Sequence, residues 1–201
     1  MTGIAGLFTP LLAHMLVLQL VALVCSSWMD AASMTTLAAL ILCLPMYRQV
    51  KKEGPQSKIK NIPSLLIPLV LGVAGNLLGS WLMDAAGMYD NFSNASQEAL
   101  YDSSLVIQIA GLGILVPITE ELIFRGLIER RASKRWGAAA GIFLSAALFS
   151  VYHGNMIQMV YAFPMGLLLG WSYWKWDNLT APILLHVGAN LCGVVMQFLH
   201  P

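Results

Sequence analysis

Two adjacent carboxylates, two histidines and an asparagine stand in stretches that are otherwise apolar. Glu120 and Glu121 occur in Ile118-Thr-Glu-Glu-Leu-Ile-Phe-Arg-Gly126. On a helix, neighbours point about 100° apart. Arg125 lies four residues after Glu121 and shares its face, so an ion pair there neutralises one carboxylate. Glu120 points elsewhere and has no partner in the local sequence. A carboxylate without a cation in a low-dielectric setting meets the condition for general acid–base work near neutral pH. Phe149 and His153 share a helix face in Phe149-Ser-Val-Tyr-His153, as do His186 and Asn190 in His186-Val-Gly-Ala-Asn190. Each feature has a plain structural counterpart: solvated interfacial carboxylates, a satisfied histidine at a helix end, an interhelical hydrogen bond. Their conjunction is more specific. Peptide hydrolysis needs a base for the water, a group to hold that water and donors for the oxyanion, and these residue types supply all three.

The elements that must position these groups are membrane helices. Hydrophobic residues make up 58% of the 201 residues and charged residues 10%, against about 45–50% and about 25% in soluble domains. Mean hydropathy is +0.71. So few charges cannot coat a water-facing surface of this size. Runs of about 20 apolar residues are long enough to span a bilayer. Seven are expected, within a range of six to eight, near Ile4–Ser26, Ala32–Tyr47, Ile62–Ala86, Ser104–Arg130, Trp136–Tyr152, Met156–Trp174 and Thr180–Leu199. The expected fold class is all-α, a multi-pass transmembrane bundle forming one integral-membrane domain over residues 1–201, with a catalytic core over about 104–199. The first run is read as a retained helix, because no Lys or Arg precedes Arg48 to form the positive region of a signal peptide.

The charges set an expected orientation. All eleven Lys and Arg residues fall at three junctions: Arg48, Lys51, Lys52, Lys58 and Lys60; Arg125, Arg130, Arg131, Lys134 and Arg135; and Lys175. With seven spans these junctions share one face, the cytoplasmic one, which puts the N-terminus inside and the C-terminus outside. The segment Met88 to Ser103 carries Asp90, Glu98 and Asp102 without a cation and reads as an outer loop, whereas Lys51–Lys60 reads as a solvated linker. Cys25, Cys43 and Cys192 lack metal or redox spacing and read as packing residues. Small residues four apart (Gly75 with Gly79, Gly137 with Gly141, Gly166 with Gly170) suit close helix contact. The sequons at Asn91, Asn94 and Asn178 are treated as chance matches. No basic patch or nucleic-acid motif is present, so no nucleic-acid partner is expected.

The three motifs resemble the CPBP family of intramembrane proteases, which groups CAAX prenyl endopeptidases with bacterial bacteriocin-processing and immunity (Abi) proteins. Its signatures EExxxR, FxxxH and HxxxN read here Glu120-Glu121-Leu-Ile-Phe-Arg125, Phe149-Ser-Val-Tyr-His153 and His186-Val-Gly-Ala-Asn190, in the family's order. The resemblance covers about Ser104 to Leu199. It implies that Glu120 is the general base and that His153 helps bind or activate water. It implies that His186 and Asn190 stabilise the oxyanion, with Glu121, Arg125 and Phe149 in support. An older view of the family makes Glu120, His153 and His186 ligands of a zinc ion. Two histidines and a glutamate suit catalytic zinc, but asparagine is a poor ligand and no HExxH occurs, so a mechanism without a cofactor is favoured. No rhomboid-like GxSG and no presenilin-like aspartate pair is present. The expected partners are the lipid bilayer and a peptide or membrane-anchored protein substrate, in a bacterial cell membrane. Eukaryotic members trim prenylated proteins, whereas a short chain of this kind fits peptide or precursor processing better. The alternatives are a non-hydrolytic immunity or scaffold protein and, more remotely, a transporter, for which no internal symmetry is visible. The basic rim, and the place of His186 close to the start of its helix, point to a cavity that opens on the cytoplasmic side.

Overall fold

The computed structural model of the chain describes residues 3–54, 56–57, 62–92 and 95–199. Its apolar runs wind into helices, because in lipid only a helix or a closed barrel satisfies every backbone polar group. The helices are α1 (Ile4–Cys25), α2 (Ala31–Lys52), α3 (Leu66–Ala85), the short α4 (Met88–Asn91) and α5 (Ala95–Tyr101), the long α6 (Leu105–Trp136), α7 (Ala138–Tyr152), α8 (Met156–Trp176) and α9 (Thr180–Leu199). The described residues contain no strand, and the protein is an all-α, multi-pass membrane bundle. Five helices, α1, α2, α3, α6 and α9, are long and apolar enough to cross a bilayer; α7 is apolar but has 15 residues, and α8 has 21. The seven expected runs are thus all helical, five of them by length and apolarity full spans.

The boundaries follow local chemistry. Asp30 caps α2, its carboxylate accepting from the Ser33 amide and hydroxyl at 2.8 Å each. α2 runs to Lys52 rather than stopping near Tyr47, since no Pro or Gly occurs between Tyr47 and Gly54, whose φ is +117°. Arg48, Lys51 and Lys52 therefore project from a helix and not from a linker; Lys58 and Lys60 lie outside the described residues, as does Asn94 of the middle sequon. α6 likewise passes the expected end at Arg130 and stops only at Gly137, whose φ of +89° suits a residue without a Cβ. Gly154 (φ +75°) turns the chain after α7, and Asn155 caps α8 by accepting from the Gln158 amide at 2.9 Å.

α6 is the most enclosed of the five spans. It carries two wide π-type windings, Gln108–Leu115 and Leu122–Glu129, on either side of Glu120 and Glu121. Such windings are rare and are often found at functional sites. Side chains of other helices donate to carbonyls within both: Asn190 to Leu112 at 2.9 Å and Ser145 to Phe124 at 3.0 Å. The closest helix contact joins α3 to α9, where Gly72 meets the Leu185 backbone and Gly188 meets the Leu69 carbonyl. Of the small-residue pairs expected from sequence, Gly75 and Gly79 accept Met165 and Tyr161 of α8, and Gly166 packs on Ala146 of α7. Outward-facing Leu16, Leu23, Leu40, Leu66, Val70 and Leu78 present the surface suited to lipid, and exposed Trp28, Trp81, Trp136 and Trp174 stand near helix ends.

The bundle has two chemically distinct ends. At one, Glu53 pairs with Arg131 (2.8 Å) and Lys134 (3.4 Å), Arg131 donates to the Gly6 carbonyl (2.7 Å), and Ser57 bonds Asp177. Partial burial works against ionisation of Glu53, but the two cations outweigh it and hold its carboxyl below the usual range. At the other end lie the Asp30 turn, α4, α5 and the Gly154–Asn155 turn.

Candidate active site

Glu121 has no exposed surface, and its Oε1 accepts two charge-assisted hydrogen bonds. One comes from the Arg125 guanidinium at 2.9 Å, the ion pair expected from the i,i+4 spacing. The other comes from His186 Nδ1 at 2.8 Å, across from α9. Arg125 is equally enclosed. It also donates to the Gly166 carbonyl at 3.1 Å and lies 4.6 Å above the Phe149 ring centre. Phe149 is the spacer of the site: its ring meets His153 at 4.7 Å and His186 at 5.5 Å, both edge to face. The supporting set of Glu121, Arg125 and Phe149 is therefore one contiguous cluster that joins α6, α7, α8 and α9.

Glu120 points into a cavity of about 320 Å³ lined also by Tyr152, His153, Gln158, His186 and Asn190. All four residues expected to do chemistry, Glu120, His153, His186 and Asn190, meet there. At about 1.5 Å per residue, Glu120 lies roughly 20 Å from the basic end of its helix and His186 only roughly 9–12 Å from the start of its own, yet Glu120 Oε2 and His186 Nε2 stand 3.7 Å apart. That is longer than a hydrogen bond and short enough for a proton to pass after a small shift.

Hydrogen bonds fix both imidazoles. A carboxylate and a carbonyl can only accept, so His186 carries its proton on Nδ1, facing Glu121, and His153 carries its own on Nδ1, facing the Phe149 carbonyl at 2.7 Å. Each neutral ring is left with a lone pair on Nε2. Neutral His186 therefore cannot donate to an oxyanion from Nε2; only its imidazolium can. Asn190 spends one amide proton on Leu112 and retains a second. Metal-bound histidines hold their rings in this same way. Among the described residues, however, no three His, Cys, Asp or Glu side chains come together as a ligand set.

Several residues near the cavity escaped the sequence patterns. Tyr152, the residue before His153, meets His14 of α1 at 3.2 Å, and His14 is fully enclosed. A histidine alone in the first apolar run was the signal for it. Glu129 is a third buried carboxylate, four residues beyond Arg125, legible as an i,i+4 partner. Asn76 donates to the Tyr161 hydroxyl at 3.2 Å, and both border the cavity. The cavity also extends past Gln97 and Tyr101 of α5 and Gly193 of α9. That is the end opposite the basic junctions, which corrects the expected opening beside the basic rim. The position of His186 misled because it reports the depth of the pair and not the direction of the space above it.

Comparison with known proteins finds one family model and two relatives that resemble parts of the chain. Residues 102–192 match the family model described as Type II CAAX prenyl endopeptidase Rce1-like. Over 172 residues the chain is 24% identical to "Putative membrane peptidase YdiL" of Bacillus subtilis (strain 168), covering 80% of this chain and 68% of that protein. Over 96 residues it is 26% identical to an "Uncharacterized 24.3 kDa protein" of Escherichia coli, covering 45% of this chain and 44% of that one. No solved structure matches significantly. The matched segment holds all three motifs, so over these residues the chain is similar to the Rce1-like CAAX prenyl endopeptidases, and it is an integral membrane protein.

Proposed function

We propose that this protein is an intramembrane endopeptidase in which Glu120 activates water for attack on a peptide bond. The observation that carries the reading is the 3.7 Å approach of Glu120 to His186 in a cavity shared with His153 and Asn190, while Glu121 holds the far side of the His186 ring. Water bound between Glu120 and the Nε2 lone pair of His153 gives a proton to the Glu120 carboxylate as its oxygen bonds to the carbonyl carbon. The carbonyl electron pair moves onto oxygen, where the second amide proton of Asn190 is a fitting donor. The proton on Glu120 passes to His186 Nε2, and the imidazolium is stabilised by the carboxylate of Glu121, as an aspartate stabilises histidine in a hydrolytic triad. The charged ring then donates toward the oxyanion and gives its proton to the departing amine as the C–N bond breaks. Water is consumed, a carboxylic acid and an amine are released, and Glu120 and His186 return to their starting states. The substrate class is a peptide or a membrane-anchored protein.

The test is hydrolysis of a quenched fluorescent peptide library by the purified protein, wild type against Glu120→Ala, with and without chelator. Cleavage that persists in chelator and is lost in Glu120→Ala supports the glutamate mechanism. Cleavage lost in chelator and restored by zinc overturns its metal-free form.

A further inference from the structure

The three sequence blocks that hold every Lys and Arg converge in space. Arg131 and Lys134 at the end of α6 reach Glu53 after α2, and Ser57 bonds Asp177 two residues beyond Lys175. Neither Lys nor Arg occurs over residues 61–124, 136–174 or 176–201, so the opposite end of the bundle is free of them. That end is where Gly193 of α9 lies beside Tyr101, and where Gln97 of α5 meets Gln158 of α8.

The catalytic cavity runs toward this second end. Asn76, Gln97, Tyr101 and Gly193 border it and also border a wider vestibule of about 550 Å³, with exposed Glu98 on its wall. The basic end has its own depression, lined by Glu53, Arg131 and Lys134, which shares no lining residue with the catalytic cavity. Short junctions rich in Lys and Arg stay on the cytoplasmic side of a membrane. We propose that the catalytic cavity opens on the extracytoplasmic side, so that the segment cut is presented from outside the membrane and not as a cytoplasmic chain end. α5 covers the mouth. Its far end is pinned by the Gln108 amide, which donates to the Tyr101 and Ser103 carbonyls at 2.8 and 2.9 Å. Across the mouth it is tied to α8 by the longer Gln158-to-Gln97 contact of 3.4 Å. The class of substrate rests on the peptidase reading; the side of the opening does not.

Single-cysteine labelling separates the two. In a full chain with Cys25, Cys43 and Cys192 changed to Ala, Glu98→Cys and Lys134→Cys are each exposed to a bulky, membrane-impermeant maleimide on intact bacterial spheroplasts. Glu98→Cys is expected to react there, and Lys134→Cys only after permeabilisation. The reverse pattern, or equal reaction of both from outside, overturns the proposal whether or not any peptide is cut. The second arm takes Gln97→Cys, at the mouth, and measures peptide hydrolysis after labelling from outside. Loss of hydrolysis, with no loss after Lys134→Cys is labelled in permeabilised membranes, supports this mouth as the substrate route. Full hydrolysis by completely labelled Gln97→Cys overturns it. An unlabelled parent that cuts nothing counts against the peptidase reading, while the labelling pattern still decides the side of the opening.

Discussion

Arg125→Met probes the element on which the rest of the site stands. Arg125 and Glu121 have no exposed surface, and their 2.9 Å contact is the core of the cluster that holds His186. Removing the guanidinium leaves a buried carboxylate with His186 as its remaining polar neighbour, and loss of one partner of a buried pair costs about 3–5 kcal/mol. The Gly166 carbonyl also loses its donor, which adds about 1 kcal/mol. Against a typical stability of about 5–15 kcal/mol this is a large fraction. Adding Glu121→Gln removes the stranded charge but keeps an amide oxygen for His186 Nδ1, so the double variant should regain roughly 2–4 kcal/mol over Arg125→Met. The assay is unfolding in mixed detergent micelles, followed by tryptophan fluorescence, for wild type, both single variants and the double variant. If Arg125→Met loses less than about 1 kcal/mol, or the double variant is no more stable than it, the pair is not a buried charge couple and does not hold the site together.

Gly72→Val places a side chain against the Leu185 backbone and should cost at least the ~1–3 kcal/mol of overpacking, read in the same unfolding assay, whereas Gly3→Ala, which meets nothing, should cost little. Tyr152→Phe leaves His14 without its 3.2 Å partner and should lose about 1–3 kcal/mol, most of it recovered when His14→Leu is added. The lowered pKa of Glu53 means that its pairing with Arg131 and Lys134 stabilises the fold above the ordinary carboxylate value of 4.5 and fades as pH falls through the folded value. These residues are partly solvated, so the effect is roughly 0.2–1 kcal/mol. Wild type and Glu53→Gln should differ in thermal midpoint at pH 7 and converge in acid, once the pH is below the lowered folded value; a constant difference would refute the linkage.

The parts of the site were legible in the sequence and their assembly was not. Spacing of four residues puts Glu121 with Arg125, Phe149 with His153 and His186 with Asn190 on common faces, and those pairs are set by helix geometry alone. Helix periodicity does not say which helix faces which. The Glu121 bond to His186 and the Asn190 bond to Leu112 therefore could not be read from it. Counting residues along each helix gave conflicting depths for Glu120 and His186, because the count assumes straight helices of uniform winding. α6 instead carries two π-type windings beside Glu120 and Glu121, and nothing in the sequence marks where such windings fall. The helix ends shifted for a simpler reason. α2 and α6 continued through polar, basic residues until a glycine with positive φ stopped them, so composition marked the apolar span and not the helix.

Whether Glu120 is the base is decided by the turnover of a cleaved peptide by Glu120→Gln, which keeps the shape and polarity of the side chain and removes its basicity. A base in this position predicts a fall of about 10²–10⁴-fold in kcat with KM little changed. Cleavage by Glu120→Gln at the wild-type rate would contradict it and remove Glu120 from the chemistry.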